Sequence, residues 1–171
     1  MSHHEEPDPQ EAQMRLDCVV NGKDITMDIE PHDLLLDVVR DRLGLRGAKR
    51  SCDAQVCGTC TLMVDGLPVS ACSTLAVEAD GALVETIEGL AVGGELSIVQ
   101  QAFVDAGAFQ CGYCTPGMIL MVESLLRDDP EAPVERAAAY LKGTLCRCTG
   151  YVKILEAIQR AQAATREATT A

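Results

Sequence analysis

Residues 52–72 read CDAQVCGTCTLMVDGLPVSAC. Cys52, Cys57, Cys60 and Cys72 follow the spacing C-x4-C-x2-C-x11-C. C-x4-C-x2-C with a distant fourth cysteine is the plant-type spacing for a [2Fe–2S] cluster. In that arrangement three thiolates come from one curled loop and the fourth arrives from the other side. Small residues such as Gly58 let backbone N–H groups approach the sulfurs, which stabilises an anionic cluster and tunes its potential. Structural zinc sites usually pair two short knuckles, so a three-cysteine loop suits zinc poorly. After the loop, TLMVDGLPVS reads as a strand, an Asp-Gly turn and a short extension.

The sequence on either side frames this loop. Upstream, MRLDCVVNGKDITMDIE (14–30) alternates apolar and polar residues about Asn-Gly, a strong two-residue hairpin signal. Cys18 lies in its first strand and reads as a buried structural thiol. DLLLDVVRDRLG (33–44) reads as a helix, with Asp33 as cap and Leu35, Leu36, Val39 and Leu43 on one face; Gly44 and Gly47 end it. Downstream, LAVEADGALVETI gives a turn and a last strand at about 82–87. Residues 14–88 therefore read as a small mixed sheet with one helix across it.

The period then changes. Gly89, Gly93 and Gly94 mark a linker over 89–96, and helices are expected at 97–106, 116–128, 133–142 and 151–165. Met118, Met121, Val122 and Leu125 share a face of the second, and Tyr151, Leu155 and Ile158 a face of the fourth. The domain reading is a tail at 1–13, a sheet domain at 14–88, the linker, a helical domain at 97–165 and a frayed tail at 166–171. His3 and His4 read as ordinary residues of the solvated first tail.

A second cysteine set lies in the helical half. Cys111 and Cys114 form C-x2-C and Cys146 and Cys148 form C-x-C, with 31 residues between the pairs. Each pair runs into a helix start, with Thr115 as cap and Pro116 at the first helical position, and Thr149 as cap of the last helix. Helix N-termini carry partial positive charge and unpaired N–H groups, which favour thiolates. By spacing alone this set suits zinc as well as an iron–sulfur cluster, and Cys111–Cys114 suits a redox dithiol. Arg147, between two of the thiols, reads as a counter-charge or as a solvated rim residue.

Composition narrows the classes. Hydrophobic residues make up 47% of the 171-residue chain, enough for a packed core. A net charge of −12 argues against nucleic acid and anionic membrane surfaces. No apolar run approaches the roughly 20 residues of a bilayer span, and MSHHEEPDPQ has no apolar signal region. Nine cysteines, an odd number without an export signal, point to metal or redox chemistry in a reducing cytoplasm rather than a disulfide framework.

With both sets in view, the chain resembles the small iron–sulfur subunit of the xanthine oxidase (molybdenum hydroxylase) family. The matching stretches are CDAQVCGTCTLMVDGLPVSAC, TIEGLA, QCGYCTPGM and LCRCTGY, within residues 14–164. The resemblance implies an α+β fold: an N-terminal β-grasp, plant-type ferredoxin-like domain, then an all-α four-helix [2Fe–2S] domain. It implies that Cys52, Cys57, Cys60 and Cys72 hold an outer [2Fe–2S] cluster, nearer flavin. Cys111, Cys114, Cys146 and Cys148 would hold an inner one, nearer molybdenum. Gln110 would hydrogen-bond the molybdopterin, cytosine dinucleotide being the common bacterial form, and Cys148 would lie against it. The implied partners are a large molybdenum-cofactor subunit and a medium FAD subunit, as a dimer of heterotrimers. Electrons would pass one at a time from the molybdenum centre through both clusters to FAD, with no substrate site in this chain. Two positions depart from the family pattern, Ser51 and Gln55, where glycines are common. A free-standing two-cluster ferredoxin and a zinc-stapled interaction module are the competing readings.

Overall fold

The structure, a computed structural model, describes residues 13–170. His3, His4 and the rest of the acidic N-terminal tail lie outside the described residues. The fold is mixed α+β. Strands β1 (Met14–Val20) and β2 (Lys23–Ile29) form the expected hairpin. Asn21 and Gly22 both have positive φ, 51° and 74°, which a tight turn of this hand requires. Strands β3 (Thr61–Val64) and β4 (Leu67–Ser70) form a second hairpin about Asp65-Gly66. The short extension after the turn is thus a strand in its own right. Strand β5 (Leu83–Glu85) runs parallel to β1 and antiparallel to β3, giving a five-stranded sheet in the order β2-β1-β5-β3-β4.

Helix α1 (Leu35–Asp37) continues as one wide turn over Val38–Arg42, in which Leu43 N–H donates to the Val38 carbonyl. Asp33 does not cap it. Its carboxylate instead accepts from Glu30 N–H and pairs with Arg42, closing the turn that leads in. Leu35, Leu36, Val38 and Val39 are buried against Leu16, Val20, Ile29, Leu62 and Val84. Cys18 faces this core from β1, and burial pushes its thiol pKa up.

Four helices follow: α2 (Ile98–Ala106), α3 (Thr115–Asp128), α4 (Val134–Tyr140) and α5 (Val152–Thr170). Ser97 opens α2 with a capping box, accepting from Gln100 N–H while the Gln100 side chain accepts from Ser97 N–H. Phe103, Met118, Val122, Leu125, Leu141, Ile154 and Ile158 make the second core. The inward face of α5 is Ile154, Ala157, Ile158 and Ala161, with Tyr151 and Leu155 at its edge. This helix runs past residue 165, and Arg166 pairs with Glu131 beyond that point. No helix among the described residues is long and apolar enough to cross a membrane.

The sheet and the helices meet through main chain. A Cβ on Gly117, in the first turn of α3, would lie 2.2 Å from the Gly58 carbonyl oxygen. A Cβ on Gly58, where φ is +66°, would lie 2.5 Å from the Gly143 carbonyl. Alanine is better than glycine by about 1 kcal/mol in a helix interior, so a loss at position 117 reports the collision alone. Gly117→Ala is expected to lower unfolding free energy by about 1–3 kcal/mol, as overpacking does. The midpoint of urea denaturation measures it, and an unchanged or raised midpoint contradicts the contact.

Candidate metal centres

The loop from Arg50 to Cys60 is built around left-handed residues. Asp53, Gln55 and Gly58 have φ of 51°, 57° and 66°. Alternating handedness turns successive N–H groups to one side and makes a concavity for anionic sulfur. Ala54 N–H and Cys57 N–H both point at Cys52 Sγ, each at 3.4 Å. The N–H groups of Ala54, Val56 and Cys57 lower the Cys52 pKa to about 6. Gln55 therefore adopts the backbone that a glycine would hold without strain, at a cost of about 1–2 kcal/mol. Arg50 fixes the loop from outside by pairing with Asp37 of α1 and with Asp53.

The four thiols of this set differ in exposure. Cys52 is exposed, whereas Cys57, Cys60 and Cys72 are buried. Cys57 is a side-chain neighbour of Cys52, and Cys72 of Cys60. Burial, with Cys72 and Cys57 as further neighbours, pushes the Cys60 thiol up to about 12. The Thr59 hydroxyl touches Cys57 Sγ at 3.2 Å and donates to the Lys49 carbonyl.

The second set converges from two chain segments. Cys111 and Cys148 bring their sulfurs to 3.6 Å. Two thiolates on one tetrahedral metal with bonds of about 2.3 Å sit about 3.8 Å apart. Cys114 pairs with Cys146, and burial followed by that thiol raises the Cys114 pKa to about 12. Burial pushes Cys146 up, but hydrogen bonds from the Thr149 hydroxyl, Thr149 N–H and Cys148 N–H outweigh it and leave its pKa lowered. The thiols thus approach in twos. Among the described residues no three His, Cys, Asp or Glu side chains are grouped for a single metal ion.

Two capping expectations are corrected here. Thr115 is the first residue of α3, with Cys114 in the cap position, and its hydroxyl makes no cap bond. Thr149 lies ahead of α5; its oxygen accepts from Tyr151 N–H and contacts Cys146 Sγ at 3.1 Å. Tyr151, at φ +68°, holds the segment in place: its hydroxyl accepts from Cys146 N–H and donates to the Thr144 carbonyl. Gln110 donates from Nε2 to the Cys148 carbonyl at 3.2 Å, joining the two segments across 38 positions.

The two sets are neighbours. Leu145 N–H donates to the Cys57 carbonyl at 2.9 Å, so a main-chain bond joins the first loop to the residue before Cys146. Tyr113 donates from its hydroxyl to the Arg50 carbonyl. A cleft of about 480 Å³ is lined by Ser51, Cys57, Cys111, Tyr113, Cys114, Arg147 and Cys148. Ser51 and Arg147 therefore face the space between the sets. Reading the sequence alone missed Gly117; a glycine in the first turn of an otherwise well-formed helix was the available signal.

The chain is similar to known proteins along most of its length. Residues 25–105 match a family described as a 2Fe-2S iron-sulfur cluster binding domain, and residues 86–159 one described as a [2Fe-2S] binding domain. The chain is 44% identical to the nicotinate dehydrogenase small FeS subunit of Eubacterium barkeri, covering 83% of this chain and 90% of that protein. It is 39% identical to the xanthine dehydrogenase iron-sulfur-binding subunit of Escherichia coli O157:H7, covering 84% and 91%. The crystal structure of quinoline 2-oxidoreductase from Pseudomonas putida 86 superimposes with a TM-score of 0.87 at 40% identity, covering 91% of this chain and 98% of that one. Aldehyde oxidoreductase from Desulfovibrio desulfuricans gives a TM-score of 0.86 at 35% identity, but the match spans only 17% of that longer chain. These matches define an iron–sulfur electron-transfer protein. The chain belongs to the small iron–sulfur subunits of the molybdenum hydroxylase family, the electron-transfer subunits of oxidoreductase complexes.

The unequal thiol pKa values give a direct test. In metal-free, reduced protein, Cys52 should be alkylated by iodoacetamide ahead of Cys60 and Cys114, with a rate midpoint near pH 6. The thiolate is the nucleophile, so a lowered pKa means reactivity above that pH and loss below it. Peptide mass spectrometry reads the order, and preferential labelling of Cys60 at neutral pH contradicts the buried placement.

Proposed function

We propose that this chain carries electrons between a molybdenum-pterin large subunit and an FAD-bearing medium subunit. In this reading Cys52, Cys57, Cys60 and Cys72 hold the outer [2Fe–2S] cluster. Cys111, Cys114, Cys146 and Cys148 hold the inner one. When bound, each cluster supplies a centre that accepts and returns one electron at a time. The layout is a β-grasp, ferredoxin-like domain over residues 14–88 and a four-helix domain over 97–165, joined by 89–96.

The observation that carries the reading is the juxtaposition of the two cysteine sets, joined by the Leu145–Cys57 hydrogen bond, with Cys57 of the first and Cys111, Cys114 and Cys148 of the second lining one cleft. Cys52 with Cys57, and Cys60 with Cys72, would hold the outer cluster as two neighbouring pairs. The inner site splits likewise into Cys111–Cys148 and Cys114–Cys146. The protein's own contribution is to hold thiolates and aim donors at them. Backbone N–H groups of the left-handed loop do this at Cys52, and Thr149 does it at Cys146.

Exposure supports the assignment of partners. Gln110, Cys111 and Cys148 lie together at the surface, flanked by exposed Phe109 and Tyr113. In this reading that surface meets the large subunit, with Gln110 and Cys148 against a molybdopterin, the cytosine dinucleotide form being the expected one. Cys52 and the exposed Val56 mark the exit toward flavin. The assembly is a dimer of heterotrimers in the cytoplasm.

The purified native complex should be red-brown, contain molybdenum and FAD, and give two reduced EPR signals. Cys148→Ala should lose the inner signal and stop flavin reduction by substrate, while Cys18→Ala should keep both signals. Normal flavin reduction in the Cys148 variant would sink the assignment. Isolation as a lone monomer without a molybdenum partner would favour a free carrier, and a colourless zinc-loaded protein would exclude both.

A further inference from the structure

Two buried side-chain polar atoms among the described residues have no hydrogen-bond partner: Thr115 Oγ1 and Thr144 Oγ1. A buried hydroxyl left unpaired costs about 1–3 kcal/mol, so each such atom calls for a reason. Thr115 directly follows Cys114, and Thr144 stands two residues before Cys146. Cys114 and Cys146 are the thiols that pair with each other. Along the chain both orphans therefore lie within two residues of the half-buried thiol pair of the second site.

The neighbouring threonines do not share this condition. Thr59 donates to the Lys49 carbonyl, Thr61 to the Gly58 carbonyl, and Thr149 contacts Cys146 Sγ. Two main-chain acceptors near Thr144 are engaged. The Thr144 carbonyl accepts from Tyr151, and the Cys57 carbonyl accepts from Leu145 N–H. Thr144 is fully buried, and its hydroxyl packs so closely on Gly58 that a Cβ there would lie 2.7 Å away. On that side there is no room for a water. What each hydroxyl lacks is an acceptor, and the sulfur of an anionic cluster is one.

We infer that the Thr115 and Thr144 hydroxyls donate hydrogen bonds to sulfur of the cluster held by Cys111, Cys114, Cys146 and Cys148. The inference rests on the ligand assignment proposed above. Donors to cluster sulfur stabilise the more negative, reduced state and so raise the reduction potential. The two residues are positioning residues that set the potential of the inner centre and touch no substrate.

The test is a redox titration of the assembled complex, followed by EPR, for Thr115→Val, Thr144→Val and the matching Ser variants. Each Val variant should move the inner signal to a more negative midpoint and leave the outer signal in place, and each Ser variant should restore the wild-type value. An unmoved inner midpoint in both Val variants overturns the inference, as does a shift of the outer signal instead, or Ser behaving like Val. Should a Val variant fail to hold its cluster, Thr→Ala at the same position decides by the same midpoint. Iron and acid-labile sulfide are measured for every sample. If the wild-type complex lacks the two signals, the ligand assignment itself fails. If it shows them and the midpoints do not move, only the role of the two hydroxyls fails.

Discussion

The structure depends on one close approach of main chain to main chain. The loop Cys57–Gly58–Thr59 lies directly on the first turn of α3 and on the segment Gly143–Leu145, with no side chain between them at Gly58 and Gly117. A single hydrogen bond, Leu145 N–H to Cys57 C=O, fixes the register. Each contacting segment also carries thiols: Cys57 and Cys60 on one, Cys114 on the second, Cys146 on the third. The geometry that joins the sheet to the helices is therefore the geometry that sets one cysteine site beside the other. The two hydrophobic cores fix the elements on either side, and the seam fixes the sites.

Electrostatics within the sites follows from the same layout. Cys52 sits at the exposed end of the first loop and receives main-chain N–H groups, so its thiolate is favoured. Cys60 and Cys114 lie inward, where burial disfavours charge. An anion placed at the inner positions has to be compensated by something other than water. The Thr149 hydroxyl and N–H meet the Cys146 sulfur, the Thr59 hydroxyl touches Cys57, and Arg147 lines the cleft between the sets. A chain carrying a net charge of −12 thus aims main-chain and hydroxyl dipoles at its thiols.

Much of this was legible in the sequence, and the reasons are specific. Asn21-Gly22 and Asp65-Gly66 allow few alternatives to a tight hairpin, so four of the five strands follow from two dipeptides and their flanking alternation. The eight clustered cysteines carry their grouping in their spacing. The caps were less legible. Asp33, Thr115 and Thr149 each stand where a capping residue belongs, yet Asp33 closes a preceding turn, Thr149 turns to a sulfur and Thr115 turns inward. Local rules assume that a side chain's best partner is its own helix; here Asp33 and Thr149 bond the turns ahead of theirs, and Thr115 Oγ1 has no partner among the described residues. The end of α5 was also hidden, since its last turns are held by a surface ion pair between Arg166 and Glu131. Nothing local announces that Gln110 reaches the Cys148 carbonyl or that Gly117 meets Gly58, because both contacts join distant parts of the chain.

Gly58 and Gly117 have a consequence for how such a protein can diverge. Besides these two glycines and the Tyr113 and Thr144 hydroxyls, the seam rests on peptide groups. Leu145 contributes its N–H, Cys57 and Gly143 their carbonyls, and none of those depends on side-chain identity. Over long divergence the surface around the seam is free to change its chemistry to suit a different neighbour, while the spacing between the two sites stays insulated from that drift. Mutational tolerance and a fixed separation coexist because the ruler is written in the backbone.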